Sequence, residues 1–335
     1  MSAPVPPYAV RQATQVDRPE ILALLGEHMA NGDPARKMEW LYEGNPEGRA
    51  LTWVAVDDAS GEFAGLTSYF PIRMWIEGQM ARAAIGGDGY VRPKFRRRGI
   101  AAALHAALRT EMPKHRIEVM FGAPAAANVT PLQTGGSHVI SETVRFLRPL
   151  TASTLSRKAA FADVVARRLL LPRPGTTRLE PMREADGRID EVWAATRGEL
   201  GVAVVRDAAY YGWRFLRAPA QVQQPFVIVD DGRPIGMCAL QPRANRLQIV
   251  DLCAPAANWP RALAAIAHHA GDLEAVEIKL LREDAARHQL WRRGFIAREG
   301  RPFLIVTPEG SSLKALHDPA RWTYTDGDLD IDHFP

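Results

Sequence analysis

Cysteine is almost missing from this chain. Cys238 and Cys253 are the two in 335 residues, which excludes a framework of disulfides. No apolar run reaches the length needed to span a bilayer. No charged-then-apolar leader opens the sequence either, because Met1 to Pro7 is small and proline-rich. The expectation is a cytoplasmic protein with buried, reduced thiols. Two common phosphate-binding spacings are also missing: there is no GxxxxGK[ST], and no GxGxxG after a strand. The histidines, including His105, His138 and the pair His268-His269, show no metal-ligand spacing, so no metal is expected. Charge of one sign is not in large excess. A net charge of +4 suits an anionic small molecule as well as nucleic acid, and does not choose between them.

What is present is the composition of a folded protein, 47% hydrophobic and 24% charged. The length suggests about two domains. The most informative segment is Arg96-Arg97-Arg98-Gly99-Ile100-Ala101. Before it lies an apolar, glycine-containing stretch from Ala83 to Val91. After it, Ile100, Leu104, Leu108 and Met112 recur at the spacing of one helical face, until Pro113 stops the helix. The segment reads as strand, basic glycine turn, helix. A helix start carries unpaired N–H groups and about half a positive charge, so it attracts phosphate. Gly99 lets backbone approach an anion and the arginines add forked donors. A solvated basic turn is the competing reading of the arginines taken alone.

The chain also repeats itself. Trp40-x-Tyr42-x-x-x-Pro46 recurs as Trp213-x-Phe215-x-x-x-Pro219, a shift of 173 residues. At the same shift Val54 to Asp58 matches Val227 to Asp231. After a two-residue deletion, Gly65 matches Gly236 and Pro71 matches Pro242. A duplicated domain explains this order of rare residue types. In the first copy the pattern predicts a strand at Tyr8 to Arg11, a helix at Arg18 to Met29, and a hairpin of Leu51 to Val56 with Phe63 to Pro71. It continues with Met74 to Gly86 in the meander and a strand at Arg116 to Gly122. The second copy predicts strands at Arg246 to Cys253, Val276 to Leu281 and Pro302 to Val306, with a helix at Trp259 to Ala270. Between the copies, Thr151 to Leu171 reads as a basic amphipathic helix ending at Pro172-Arg173-Pro174-Gly175. Its apolar face carries Phe161, Val164, Val165 and Leu169, and the opposite face Lys158, Arg167 and Arg168. Packing between domains is the expected use of that face, over a membrane-surface role.

Val91-Arg92-Pro93-Lys94-Phe95-Arg96-Arg97-Arg98-Gly99-Ile100-Ala101 resembles the acetyl-CoA signature of the GNAT acetyltransferase superfamily, V-x-P followed by [RQ]-x-x-G-x-[GA]. Asn128 matches an asparagine that many members place beside the cofactor. Trp291-Arg292-Arg293-Gly294-Phe295 resembles the family's usual entry to its penultimate strand. The resemblance implies a mixed α/β (α+β) fold of two tandem GNAT-like domains, each a mostly antiparallel mixed sheet flanked by helices. The first would cover residues 1–150, a linker helix 151–175, and the second 176–335. In the second copy, aligning Val91-Arg92-Pro93 with Cys253-Ala254-Pro255 puts Asn258, Arg261 and Leu263 at the positions of Arg96, Gly99 and Ala101. Pro260 intrudes, so cofactor binding is expected in the first copy only.

The activity implied is acyl-CoA-dependent N-acyl transfer, with acetyl-CoA as donor and the primary amine of a small molecule as acceptor. No nucleic acid or membrane partner is expected, and a homodimer is left open. By the resemblance, the backbone of Tyr90 and Val91 runs along the pantetheine and supplies a donor to the thioester carbonyl. Arg96, Arg97, Arg98, Gly99, Ile100 and Ala101 hold the pyrophosphate, with Asn128 beside the cofactor. Asp88 is the leading base for the acceptor amine, and an acid anchoring a strand turn is its structural alternative. Water relayed to Asp88 or Tyr90 is a further route. The family's tyrosine acid has no counterpart in Asn128 to Gly136, where Pro131 should shorten the helix. His138 lies nearby, and a lone histidine is more often structural. Two other functions compete: a non-catalytic acyl-CoA-binding sensor or scaffold, and a transferase using charged transfer RNA. The acidic tail Asp326 to Asp332 reads as a solvated terminus, with an entrance for a cationic substrate as its alternative.

Overall fold

The computed structural model describes residues 7–29, 32–154, 156–171 and 173–329. The first half opens with β1 (Tyr8–Gln12), α1 (Arg18–His28) and α2 (Pro34–Lys37). Three antiparallel strands follow, β2 (Leu51–Asp57), β3 (Phe63–Ile76) and β4 (Gln79–Val91). Then come α3 (Ile100–Glu111), β5 (Val119–Gly122), α4 (Ala126–Thr134) and β6 (His138–Pro149). The linker contributes α5 (Asp163–Leu170). The second half runs β7 (Arg178–Pro181), α6 (Gly187–Arg197), β8 (Val202–Val204), α7 (Ala208–Tyr211), β9 (Gln224–Asp230), β10 (Arg233–Arg243) and β11 (Arg246–Cys253). It ends with α8 (Trp259–His269), β12 (Ala275–Leu281), α9 (Arg287–Trp291), β13 (Ile296–Val306) and β14 (Trp322–Thr323).

Local chemistry sets the turns. Between β2 and β3 the Asp57 carboxylate accepts from the Ser60 N–H at 3.1 Å and the Ser60 hydroxyl at 2.8 Å, a side-chain-closed turn that mimics backbone. The meander expected from Met74 to Gly86 divides differently. Met74 to Ile76 finishes β3, and Glu77-Gly78 makes a two-residue turn with φ of 48° and 86°. Positive φ at both positions matches the right-handed twist of the flanking strands. The counterpart turn in the second half is Asp231-Gly232, with φ of 46° and 79°.

One mixed, mostly antiparallel sheet runs through both halves, in the order β1-β2-β3-β4-β5-β13-β6-β12-β11-β10-β9-β7. The exchange at its centre is reciprocal. β13 of the second half lies between β5 and β6 of the first, and β6 lies between β13 and β12. The boundary expected at residue 150 therefore follows directly on β6, a central strand of one continuous sheet. The two repeated tryptophans also meet. Trp40 and Trp213 stack at 5.3 Å, and each indole N–H donates to the other's backbone carbonyl, at 3.0 and 3.2 Å. Such self-complementary pairing is the geometry of a two-fold interface, here within one chain. The main core cluster draws on both halves, with Phe70 and Ile85 joined by Trp213 and Met237. A second cluster joins Val144, Phe146 and Leu150 of the first half to the sheet and α8 of the second, and a third lies beneath α3.

The linker departs from expectation. A 3-10 turn over Arg157–Ala162 precedes α5, and Phe161, Val164, Val165 and Leu169 face solvent and are not packed between domains. Leu155 and Pro172 lie outside the described residues. The acidic tail also differs: Asp326 and Asp328 are buried, held by Lys279 and Gln248 and by Arg206, respectively. Its remaining residues from Asp330 onward lie outside the described residues.

Candidate active site

β4 and β5 run parallel for only three residue pairs, Ala83–Ile85 against Val119–Phe121, and then diverge. The gap becomes a cavity of about 1230 Å³. Its walls are the end of β4, the loop into α3, the start of α4, and Leu304 to Val306 of β13. β4 is irregular where it borders the gap. Ser68 pairs with Gly87 and Leu66 with Tyr90, so Asp88 and Gly89 together oppose Thr67. That bulge gives Asp88 a φ of +51° and takes its backbone out of the ladder.

Of the sequence-predicted residues, Asp88, Tyr90, Val91, Arg96, Arg97, Gly99, Ile100, Ala101 and Asn128 all line this cavity. Gly99 is the N-cap of α3 with φ +78°, a conformation in which a Cβ is strained. The first N–H groups of α3 are thus presented without a side chain before them. Arg96 donates to the Val91 carbonyl at 3.0 Å and lies over the Tyr90 ring. Arg97 also has positive φ, +63°, and among the described residues its guanidinium has no carboxylate partner. Arg98 is not in the lining. It leans on Phe95 and pairs with Asp57 at 3.5 Å. Arg92 and Lys94 are engaged as well, by Glu27 and Glu62 and by Glu62. Asn128 sits in the first turn of α4, its N–H bonded to the Ala125 carbonyl at 2.9 Å. α4 continues through Pro131 to Thr134, contrary to the shortened helix expected there, and packs by Gly135 closely on His105 and Ala102 of α3.

The structure adds residues that the sequence did not point to. Lys37 is buried and its ammonium contacts Asp88 Oδ1 at 2.5 Å. The Tyr42 hydroxyl donates to Asp88 Oδ2 at 2.8 Å and also lies 2.9 Å from the Ser68 hydroxyl, which meets Thr52. Asp88 is therefore a fixed, charge-compensated carboxylate in a buried polar network. Tyr90 turns its hydroxyl toward Glu27, at 3.4 Å. Beneath α3, the Tyr69 hydroxyl and His105 Nδ1 are hydrogen-bonded to each other at the cavity wall. Burial pushes the His105 imidazole down to about 4 and Tyr69 upward, so the pair stays neutral near pH 7. His105 was detectable in principle, because it stands three residues before Leu108 on the buried face. Lys37 was not, being 51 residues from its partner. His138 opens β6 opposite Ile305.

The corresponding place in the second half is small. β11 and β12 pair over Arg246–Ile249 and Ala275–Ile278, and the cavity beyond them measures about 200 Å³. Buried Trp259 opens α8 with Pro260 next, removing one N–H from the helix start. Arg261 pairs with Asp230 at 2.7 Å and Asn258 at 2.6 Å. Asp284 lines this cavity, and burial raises its carboxyl to about 6. The fold thus holds the proton that an unfolded chain releases near 3.8, and this contribution is present at low pH and lost as pH rises through 6. Relative to Asp284→Asn, the wild type should lose up to about 3 kcal/mol of stability between pH 4 and pH 8. Denaturant melts of both proteins across that range check it, and parallel curves would refute it.

Among the described residues no group of His, Cys, Asp or Glu could hold a metal ion, and no helix is long and apolar enough to cross a membrane. Residues 9–130 match the family model of the acetyltransferase (GNAT) domain. No curated protein sequence matches the chain. Among solved structures, a GCN5-related N-acetyltransferase from Anabaena variabilis is similar with a TM-score of 0.67 at 16% identity, over 89% of this chain and 72% of that one. A probable N-acyltransferase from Enterococcus faecalis is similar with a TM-score of 0.67 at 14% identity, over 90% and 73%. Saccharomyces cerevisiae N-myristoyltransferase with bound myristoyl-CoA is similar with a TM-score of 0.55 at 10% identity, over 91% and 84%. These likenesses are of fold. Residues 9–130 thus match the acetyltransferase (GNAT) domain, and the chain as a whole shares the fold of these acyltransferase structures.

Proposed function

We propose that the chain transfers an acyl group from acyl-CoA, acetyl-CoA in the first instance, to the primary amine of a small molecule. One observation carries this reading: a strand bulge, a left-handed glycine at a helix start, an arginine with no carboxylate partner among the described residues and a buried carboxylate all line one cavity. The residues fit such a donor. The N–H groups at the start of α3, with Arg96 and Arg97, would take the pyrophosphate. The bulge at Asp88 and Gly89 leaves backbone donors for the thioester oxygen, beside Tyr90 and Val91. Asn128 would flank the pantetheine from α4.

Asp88 is the base that this arrangement favours. Lys37 and Tyr42 fix its two oxygens, so its carboxylate keeps one orientation, and it would take the proton of the acceptor ammonium through water. Asp88→Asn should lower kcat by about a hundredfold while leaving KM for acetyl-CoA unchanged. Steady-state thiol release with a panel of primary amines is the test. Tight acetyl-CoA binding without turnover on any amine would favour a binding module instead.

A second donor class is favoured by the size of the cavity and its apolar wall, Leu304, Ile305, Val306 and Leu329. A longer acyl chain would lie against that wall. Comparing kcat/KM along a series from acetyl- to myristoyl-CoA separates the two donors.

A further inference from the structure

α5 is mounted with its polar side inward. Arg167 donates to the carbonyls of Gly271 and Asp272, and Asp163 accepts from the Ser153 N–H at 2.7 Å. These bonds fix the rotation of the helix, and the side turned outward is apolar. Phe161 is 90% exposed, Val164 81%, Val165 62% and Leu169 79%. A surface helix ordinarily shows the reverse, with its apolar stripe on the core. Four large apolar side chains held together in water mark a contact surface.

The charge around this face says what it contacts. Residues 151–175 carry five Lys or Arg against one Asp; Arg167 is turned inward to Asp272, and Arg157, Lys158, Arg168 and Arg173 are exposed, the first two beside Phe161. At the C-terminal end of α5, Arg148 donates to the Leu170 carbonyl at 2.8 Å, with Arg293 near enough to repel its charge. Among the described residues neither arginine has a carboxylate partner. We infer that this face docks on an anionic lipid surface, the apolar side chains entering the bilayer and the cations meeting lipid phosphates. A two-fold contact with a second copy would set two such cationic rims against each other, whereas an anionic bilayer neutralises both. The sequence expectation of no membrane partner rested on the lack of a spanning segment and on this face packing between domains; an interfacial helix needs no such segment, and the face is exposed.

The placement keeps the cavity open. β6 runs over twelve residues from His138, beside the cavity wall, to Pro149 at the linker, a span of roughly 36 Å. Docking by α5 would leave the cavity mouth on the aqueous side.

Co-sedimentation of the full chain with vesicles tests this. Vesicles of phosphatidylcholine with about a quarter phosphatidylglycerol should bind at least about tenfold more tightly than phosphatidylcholine alone, and high salt should reverse the difference. Phe161→Glu with Val165→Glu should weaken that binding by more than about tenfold, at unchanged melting temperature and acetyl-CoA affinity. A wild type that stays in the supernatant with both vesicles overturns the inference, as does a double variant that pellets like wild type. A concentration-dependent wild-type dimer that the double variant abolishes would assign the face to a second copy, and also overturns it.

Discussion

Arg96→Glu with Arg97→Glu should abolish the rise in melting temperature that acetyl-CoA gives the wild type, whereas Arg98→Glu should leave most of it. Three consecutive arginines look equivalent in a sequence, but their surroundings divide them. Arg97 lines the cavity with no carboxylate partner among the described residues, and Arg96 lines it from a carbonyl and a ring face. Arg98 spends its charge on Asp57 and Phe95. A hydrogen bond to a charged group contributes about 1.5–3 kcal/mol, so losing two weakens binding by roughly 10²- to 10⁴-fold. At a ligand concentration a hundredfold above the wild-type Kd, that removes nearly all of the stabilisation by mass action. The half-exposed Arg98–Asp57 pair adds little to stability, so its reversal serves as a folded control. Isothermal titration gives the affinities directly. A retained shift in the double variant, or a full loss in Arg98→Glu, would dismiss this division of roles.

The same contrast shows what could be read in the sequence. Gly99 and the spacing of Ile100, Leu104 and Leu108 located the helix start, because backbone conformation and a 3.6-residue period are local properties. The repeat at a shift of 173 was legible through Trp40 and Trp213, since large aromatics rarely recur in order by chance. Partner choice was not legible. Arg98 meets Asp57, and Lys37 meets Asp88, because distant strands bring them together, and no spacing encodes that. The orientation of the linker helix was misread for a related reason. Periodicity identifies an apolar face and cannot say which way the helix is mounted, and Arg167 on the backbone of Gly271 and Asp272 settles that here. Strand order was hidden too, because a period of two does not name a strand's neighbours.

That hidden order leads to the largest expected effect of all: residues 1–150 expressed alone should not fold, although they contain the whole matched domain. β5 bonds to β13 through Met120 to Gly122, and β6 bonds to both β13 and β12. Cutting after 150 exposes one edge of β5 and both edges of β6. It also uncovers Phe121, whose ring contacts Phe303 and Trp322 at 6.0 and 5.5 Å, and strips Phe70 and Ile85 of the second half's share of their core. Each large apolar side chain returned to water costs about 1.5–3 kcal/mol, so a handful of them consumes the 5–15 kcal/mol that ordinarily holds a domain together. Unpaired strand edges then favour aggregation. Co-expression of 1–150 with 151–335 should recover a soluble complex, because the exchange of β6 and β13 needs continuity of neither chain. The recovered complex should bind acetyl-CoA, since Leu304 to Val306 restore the cavity wall. A soluble 1–150 fragment with a cooperative melting transition would refute this account and make the first half an independent domain. If the account holds, the second half matters to the cavity of the first: it supplies the strand that closes it.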